Sequence, residues 1–185
     1  MKQKLPVGIL SCQGAFIPYI EALEFFNISY KKITYESDFK DIGGLILPGG
    51  ESTSQLKAYE QNNLIPHIVE FVKSDNPVLA TCAGLIILSC ISTPHIKGLG
   101  LLDIDVDRNH YGSQLNSGIF KSDYGNVITL IRAPVITRTN PAIEILDKYK
   151  NNPVLVKQNN IYGSSFHPEF DINNGENIIP KIFKY

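Results

Sequence analysis

Read for apolar and polar positions alone, the first half of the chain alternates short continuous apolar runs with stretches of helical spacing. Pro6 to Cys12 is one such run, Ile28 to Ile33 a second, Gly43 to Leu47 a third and Val78 to Ala80 a fourth. Apolar runs of this length, without polar alternation, are expected of strands buried on both faces. Between the first two, Phe16, Ile20, Ala22 and Leu23 recur at helical spacing and predict a helix from about Phe16 to Phe26, with Pro18 tolerated in its first turn. Further helices are predicted from Ser52, over Ile65 to Lys73, and directly after Cys82. Strand–helix alternation of this kind predicts an α/β protein whose mainly parallel sheet is covered on both sides. Ligands in such sheets sit beyond the carboxyl ends of the strands. Gln13-Gly14, Gly49-Gly50-Glu51 and Cys82 each follow a predicted strand there, and are expected to converge on one crevice.

The second half changes character. Leu101 to Asp107 alternates apolar and acidic residues, the period of a half-exposed strand. Val127 to Ile131 is another strand candidate. Val154 to Gln158 and Ile161 to Phe166 flank Asn159-Asn160, which reads as a hairpin closed by residues that tolerate positive φ. The second arm runs into His167-Pro168-Glu169. Asn151-Asn152 and Asn173-Asn174 read as turns. Glu176 to Tyr185 is apolar enough for a terminal helix, expected either to break at Pro180 or to start there. With no internal repeat and no low-complexity linker, residues 1–185 are expected to form one domain.

Composition narrows the classes of function. The chain is 43% hydrophobic and 19% charged, with 17 basic residues against 18 acidic and a formal net charge of −1, so no nucleic-acid or anionic-membrane partner is indicated. No apolar run is long enough to cross a bilayer. Three cysteines, Cys12, Cys82 and Cys90, are too few and odd in number for a disulfide framework. The apolar residues after Met1-Lys2-Gln3-Lys4 reach only to Leu10 and carry no signal-peptide features. A reducing, cytoplasmic setting is therefore expected.

Cys82 is the chemically informative thiol. An apolar run stops at it, small residues flank it, and a second apolar run follows at once: Val78-Leu79-Ala80-Thr81-Cys82-Ala83-Gly84-Leu85-Ile86. That is the layout of a nucleophile elbow with Cys in place of Ser, and a thiol at a helix start is favoured as thiolate. The alternative is a buried core cysteine at a strand end. A nucleophile needs a base, and the histidines are His67, His95, His110 and His167. His67 falls in a predicted surface helix, His95 and His110 in loops. His167 stands at a strand end, and an extended His-Pro-Glu would turn Glu169 to the same side as His167. Nucleophile, base and orienting acid are then Cys82, His167 and Glu169. Backbone N–H groups near Gly49-Gly50 and at Ala83 are the natural oxyanion donors. Pro48-Gly49-Gly50-Glu51-Ser52 lacks a phosphate-loop lysine, and Glu51 would repel phosphate. No C-x-x-C spacing occurs and His167 has no close second ligand but Glu169, so no metal site is expected.

Taken in order, Gly8-Ile9-Leu10-Ser11-Cys12-Gln13-Gly14-Ala15-Phe16, Leu47-Pro48-Gly49-Gly50-Glu51-Ser52-Thr53, Thr81-Cys82-Ala83-Gly84-Leu85-Ile86, Arg108-Asn109-His110-Tyr111-Gly112-Ser113-Gln114, Ile131-Arg132-Ala133-Pro134 and Ser165-Phe166-His167-Pro168-Glu169 give a chain that resembles the glutaminase subunit of pyridoxal 5′-phosphate synthase, within the triad-type (class I) glutamine amidotransferases. The resemblance covers nearly the whole chain. It implies a flavodoxin-like three-layer α/β/α fold. It implies a glutaminase in which Cys82 attacks the side-chain amide of glutamine, His167 moves protons and Glu169 holds His167. Gly49, Gly50, Glu51, Ser52, Arg108, Ile131 and Arg132 would bind glutamine; the N–H groups of Gly50 and Ala83 would serve the oxyanion. Gln13 and Gly14 would lie at the interface with a partner (β/α)₈-barrel synthase subunit, which receives the ammonia in a large hetero-oligomer. No cofactor or metal is implied for this chain.

The chain departs from that pattern where Ser113 replaces the usual Arg, where Asn116-Ser117-Gly118 replaces an acidic-Ser-Phe run, and in a short C-terminal helix carrying Pro180. Alternatives are the glutaminase subunit of another amidotransferase, such as imidazole glycerol phosphate synthase, a non-catalytic scaffold of the same fold, and a cysteine hydrolase of similar topology.

Overall fold

The computed structural model describes residues 5–108, 117–173 and 176–183; His110, Ser113, Asn116 and Asn174 lie outside them. In chain order the elements are β1 (Val7–Leu10), α1 (Ile17–Phe25), β2 (Tyr30–Ile33), β3 (Gly44–Leu47), α2 (Ser52–Gln61), α3 (Ile65–Val72), β4 (Val78–Thr81) and α4 (Ala83–Leu88). Then follow β5 (Ser92–Thr93), β6 (Ile96–Lys97), β7 (Ile104–Asp107), β8 (Gly118–Lys121), β9 (Val127–Leu130), β10 (Val135–Thr139), β11 (Glu144–Tyr149), β12 (Asn152–Gln158), β13 (Ile161–Ser164) and α5 (Ile178–Phe183). Short 3₁₀ turns occupy Glu36–Phe39 and Pro168–Phe170.

Seven strands make the central sheet in the order β11-β12-β13-β4-β3-β1-β2. From β13 to β2 all neighbours are parallel; β12 and β11 add an antiparallel flank. The expected mainly parallel sheet is therefore present. Alternation along each strand divides the core in two. Val7, Ile9, Ile46 and Leu79 pack with Tyr19, Ala22 and Leu23 of α1 and Ile179, Ile182 and Phe183 of α5. Leu10, Leu45, Leu47, Val78 and Ala80 pack on the other side with Tyr59 of α2, Ile68 and Val72 of α3 and Leu85 of α4. This is the three-layer arrangement. The chain order reverses between β1 and β3, whose carboxyl ends open onto the crevice where such folds bind ligands.

Helix α4 has six residues, too few to be stable by propensity, and every one is buried. Its packing depends on Gly84. A Cβ there would stand 2.3 Å from the Leu47 carbonyl oxygen and 2.8 Å from the Leu47 Cβ, so only glycine lets α4 lie this close to β3.

Several expectations are corrected. The Leu101 to Asp107 strand begins only at Ile104, and β5, β6, β8, β10 and β11 were not anticipated. β5 and β6 have two residues each, and β10 and β11 pair with irregular register against β7 and β12, so these four carry no clean period. In the hairpin, Asn159 alone takes positive φ, at 53°. The terminal helix neither breaks nor begins at Pro180. Pro180 is the third residue of α5, where its missing N–H has no intrahelical acceptor to lose. Asn177 starts this helix, its Oδ1 accepting from the Ile179 N–H at 2.8 Å. Lastly, His167-Pro168-Glu169 is not extended throughout: His167 is (φ −106°, ψ 86°), but Pro168–Phe170 forms a 3₁₀ turn.

Gly84→Ala is expected to destabilise the protein by about 1–3 kcal/mol through overpacking against the Leu47 backbone. Thermal unfolding checks this, and an unchanged midpoint would show that α4 has room to move away from β3.

Candidate active site

Strand β4 ends at Thr81, and Cys82 turns the chain into α4 with φ 50° and ψ −100°. The turn is pinned on both sides. Cys82 N–H donates to the Ser164 carbonyl at 2.8 Å, and Ile86 N–H donates to the Cys82 carbonyl at 3.1 Å. Small residues at Ala83 and Gly84 admit so sharp a bend.

Beyond β13, His167 N–H donates to the Thr129 carbonyl at 2.9 Å. The 3₁₀ turn that follows brings Glu169 Oε1 to 2.8 Å from His167 Nδ1. Both side chains are buried, with 7% and 0% exposure. Nδ1–H is thus the donor to the carboxylate, and Nε2 is buried without a hydrogen-bond partner, on the cavity wall it shares with Cys82. The turn has its own supports. Asn177 Nδ2 donates to the Pro168 carbonyl at 2.7 Å and to that of Asp171 at 3.1 Å. Asp171 accepts from Thr129 N–H and Oγ1–H. Burial pushes the His167 pKa down, but interaction with Cys82 and Glu169 outweighs it and raises the pKa from 6.5 to about 10. The stability contributed by protonated His167 is therefore complete below about pH 6.5 and is lost as pH rises through about 10.

After β3, Pro48-Gly49-Gly50 crosses in front of this pair. A Cβ on Gly49 would meet His167 Cε1 at 2.6 Å and Cys82 Cβ at 3.5 Å, so the loop lies directly on the imidazole and the thiol-bearing carbon. The Gly49 carbonyl accepts from Ala15 N–H at 2.9 Å, and in the trans peptide the Gly50 N–H is directed the opposite way. Glu51 caps α2. Its carboxylate accepts from Thr53 N–H at 3.2 Å, from Ser54 N–H at 2.7 Å, from Thr53 Oγ1 and from Arg108 Nη2 at 3.0 Å. Partial burial opposes ionisation, but the hydrogen bonds from Thr53 and Ser54 prevail and lower its pKa to about 2.

Gly50, Glu51, Ser52, Cys82, Arg108, Ile131, Arg132 and His167 surround one cavity of about 250 Å³. Gly49, Ala83 and Glu169 are buried behind it. Gln13 is exposed and Gly14 half-buried, and both lie outside the lining, behind the Gly49-Gly50 loop. Ser52 Oγ is buried with no partner. A polar atom so placed on a cavity wall is the mark of a ligand site. Arg132 takes φ 44° and its N–H donates to Ser117 Oγ at 3.1 Å.

Ala15, Ile86 and Phe170 also line the cavity and were missed. Ile86 carries no signal beyond its place on an apolar helix, whereas Phe170 directly follows His-Pro-Glu. His67 is remote, 3.5 Å from Glu36; His95 borders a shallow hollow with Thr53, Thr93 and Arg108. Among the described residues, no group of three or more His, Cys, Asp or Glu is placed to hold a metal ion, and no helix is long and apolar enough to cross a membrane.

Comparison with known proteins gives a consistent picture. A profile of the SNO glutamine amidotransferase family matches residues 9–181. A protein of Francisella philomiragia named pyridoxal 5′-phosphate synthase subunit PdxT is 43% identical over 88% of this chain and 90% of its own length. The protein of that name from Kosmotoga olearia is 38% identical over 89% and 90%. A crystal structure of a glutamine amidotransferase superposes with a TM-score of 0.83 at 33% identity, covering 90% of this chain and 92% of that one. Another, from Thermotoga maritima, reaches 0.61 at 12% identity over 90% and 77%, a likeness of fold alone.

Glu169→Gln keeps an acceptor for Nδ1–H but removes the charge. The His167 pKa is expected to fall by about one unit or more, read by NMR titration of its Cε1 proton. A titration unchanged from wild type would mean that Glu169 does not set the charge of His167.

Proposed function

The chain belongs to the SNO glutamine amidotransferase family, and on that footing we propose that it is the glutaminase subunit of a pyridoxal 5′-phosphate synthase, hydrolysing L-glutamine to L-glutamate and ammonia. Cys82 Sγ attacks the side-chain carbonyl carbon of glutamine. The oxygen that becomes negative is received by the N–H groups of Gly50 and Ala83. His167, protonated through its contacts with Cys82 and Glu169, delivers its Nε2 proton to the leaving nitrogen, and ammonia departs from a glutamyl thioester. The neutral imidazole then takes a proton from water as the water's oxygen attacks the thioester, releasing glutamate and restoring the pair. Glu169 keeps Nδ1 protonated and the ring oriented.

Arg108 and Arg132 offer guanidinium groups to the α-carboxylate of glutamine, with Gly49, Gly50, Glu51, Ser52 and Ile131 shaping the rest of its site. Glu51 contributes by anchoring Arg108. Gln13 and Gly14 contact the partner synthase subunit, a (β/α)₈ barrel that takes up the ammonia within a large hetero-oligomer. The exposed apolar side chains of Ile17 and Phe170 suit the same contact. Three free thiols suit a cytoplasmic setting.

The observation that carries the reading is the buried His167–Glu169 pair behind Cys82, on a cavity whose remaining wall holds Ser52 and two arginines. With the synthase subunit present, the chain is expected to release ammonia from glutamine, and Cys82→Ala to lower the rate at least about 10³-fold while still binding the partner. No ammonia release by the wild-type pair, or a Cys82→Ala protein that keeps its rate, would overturn the reading.

A further inference from the structure

Gln55, in the second turn of α2, is fully buried and does not line the cavity. Its Nε2 donates to the carbonyl of Pro48 at 3.1 Å, to that of Gln13 at 3.4 Å and to Tyr59 Oη at 3.3 Å. Two main-chain carbonyls are acceptors only, so they fix which end of the amide is which. The other end, Oε1, is buried without a partner. The amide lies against two glycines. A Cβ on Gly14 would stand 2.3 Å from Nε2, and one on Gly50 would stand 3.2 Å from Oε1. Those glycines take φ of +106° and +141°, leaving both backbones free to approach the side chain.

One amide therefore joins the loop after β1 to the loop after β3. The Gly49–Gly50 peptide is held by Ala15 N–H on the Gly49 carbonyl, and the Pro48–Gly49 peptide that leads into it is held by Gln55 on the Pro48 carbonyl. A methionine would fill the same volume without burying an unpaired acceptor, and packing alone would favour it. What methionine lacks is the ability to hold two carbonyls at once.

We propose that Gln55 is a positioning residue for the glutaminase reaction, setting the Gly50 N–H that receives the oxyanion and coupling it to the Gln13-Gly14 loop. This rests on the function proposed above. Gln55 touches neither substrate nor thiol, and acts only through the backbone it orients.

The test uses the chain with its synthase subunit and compares wild type with Gln55→Met. Alkylation of Cys82 by iodoacetamide develops no oxyanion and reports the thiol and His167 alone. The expected result is a kcat for glutamine lower by about ten- to a hundredfold, a KM changed by less than about threefold, and alkylation at the wild-type rate. Gln55→Glu preserves the shape of the side chain, and burial against two carbonyls raises its pKa, so that it donates to Pro48 while protonated; its kcat relative to wild type is expected to stay close to one at acid and neutral pH and to fall at alkaline pH as the carboxyl ionises, with alkylation relative to wild type unchanged. Gln55→Glu decides the matter if Gln55→Met does not fold. Wild-type kcat in folded Gln55→Met, a Gln55→Glu kcat whose ratio to wild type does not vary with pH, or parallel loss of kcat and alkylation, overturns the proposal. A wild-type complex that releases no ammonia overturns instead the glutaminase reading beneath it.

Discussion

At Cys82 the backbone passes from strand to helix within one residue by adopting φ 50° and ψ −100°, a conformation that costs an L-residue about 1–3 kcal/mol. It persists because both flanks are fixed independently. β4 is paired in parallel with β3 on one side and β13 on the other, and α4 is buried throughout and seated on Leu47 through Gly84. The strain cannot relax without unzipping a central strand or lifting a core helix. One consequence is geometric: a side chain that would otherwise point into the core stands at the carboxyl edge of the sheet, next to the ends of β1, β3 and β13.

The second constraint is electrostatic. A histidine and a glutamate buried together lose hydration that their mutual attraction scarcely repays. An apolar pair of the same volume would fold as well. Their surroundings limit the loss with ordinary polar bonds: Asn177 on the Pro168 and Asp171 carbonyls, and Asp171 on Thr129. Asn177 also starts α5, so the terminal helix and the turn carrying Glu169 share one residue. Loosening either end of that connection would loosen the carboxylate and, through it, the charge on His167.

Much of this was legible in the chain, and the reasons are physical. Continuous apolar runs ending in Gly-Gly or in Cys with small neighbours mark buried strands that stop at a crevice, and those segments do meet. His167 stood out because it ends a strand and is followed by Pro168. What stayed hidden depends on pairing across long separations. β10 exists through β7, far back along the chain, and Gln55 looks like any polar residue of an amphipathic helix until Gly14 and Gly50 are seen against it; β11, by contrast, forms a hairpin with β12 and was hidden by its irregular register. Pro180 misled because its cost depends on its place in the helix: in the first turn of α5 it forfeits nothing. The proline after His167 predicts an extended His-Pro-Glu, yet it is the 3₁₀ turn that brings Glu169 to the imidazole.

That Cys82 attacks the carboxamide of glutamine is tested most directly by covalent trapping. The chain and its synthase subunit are incubated with a diazoketone analogue of glutamine, and the modified peptide is identified by mass spectrometry. The adduct is expected on Cys82 alone, with its formation suppressed by glutamine. Labelling of Cys12 or Cys90 instead, or labelling of Cys82 that glutamine does not suppress, would contradict it.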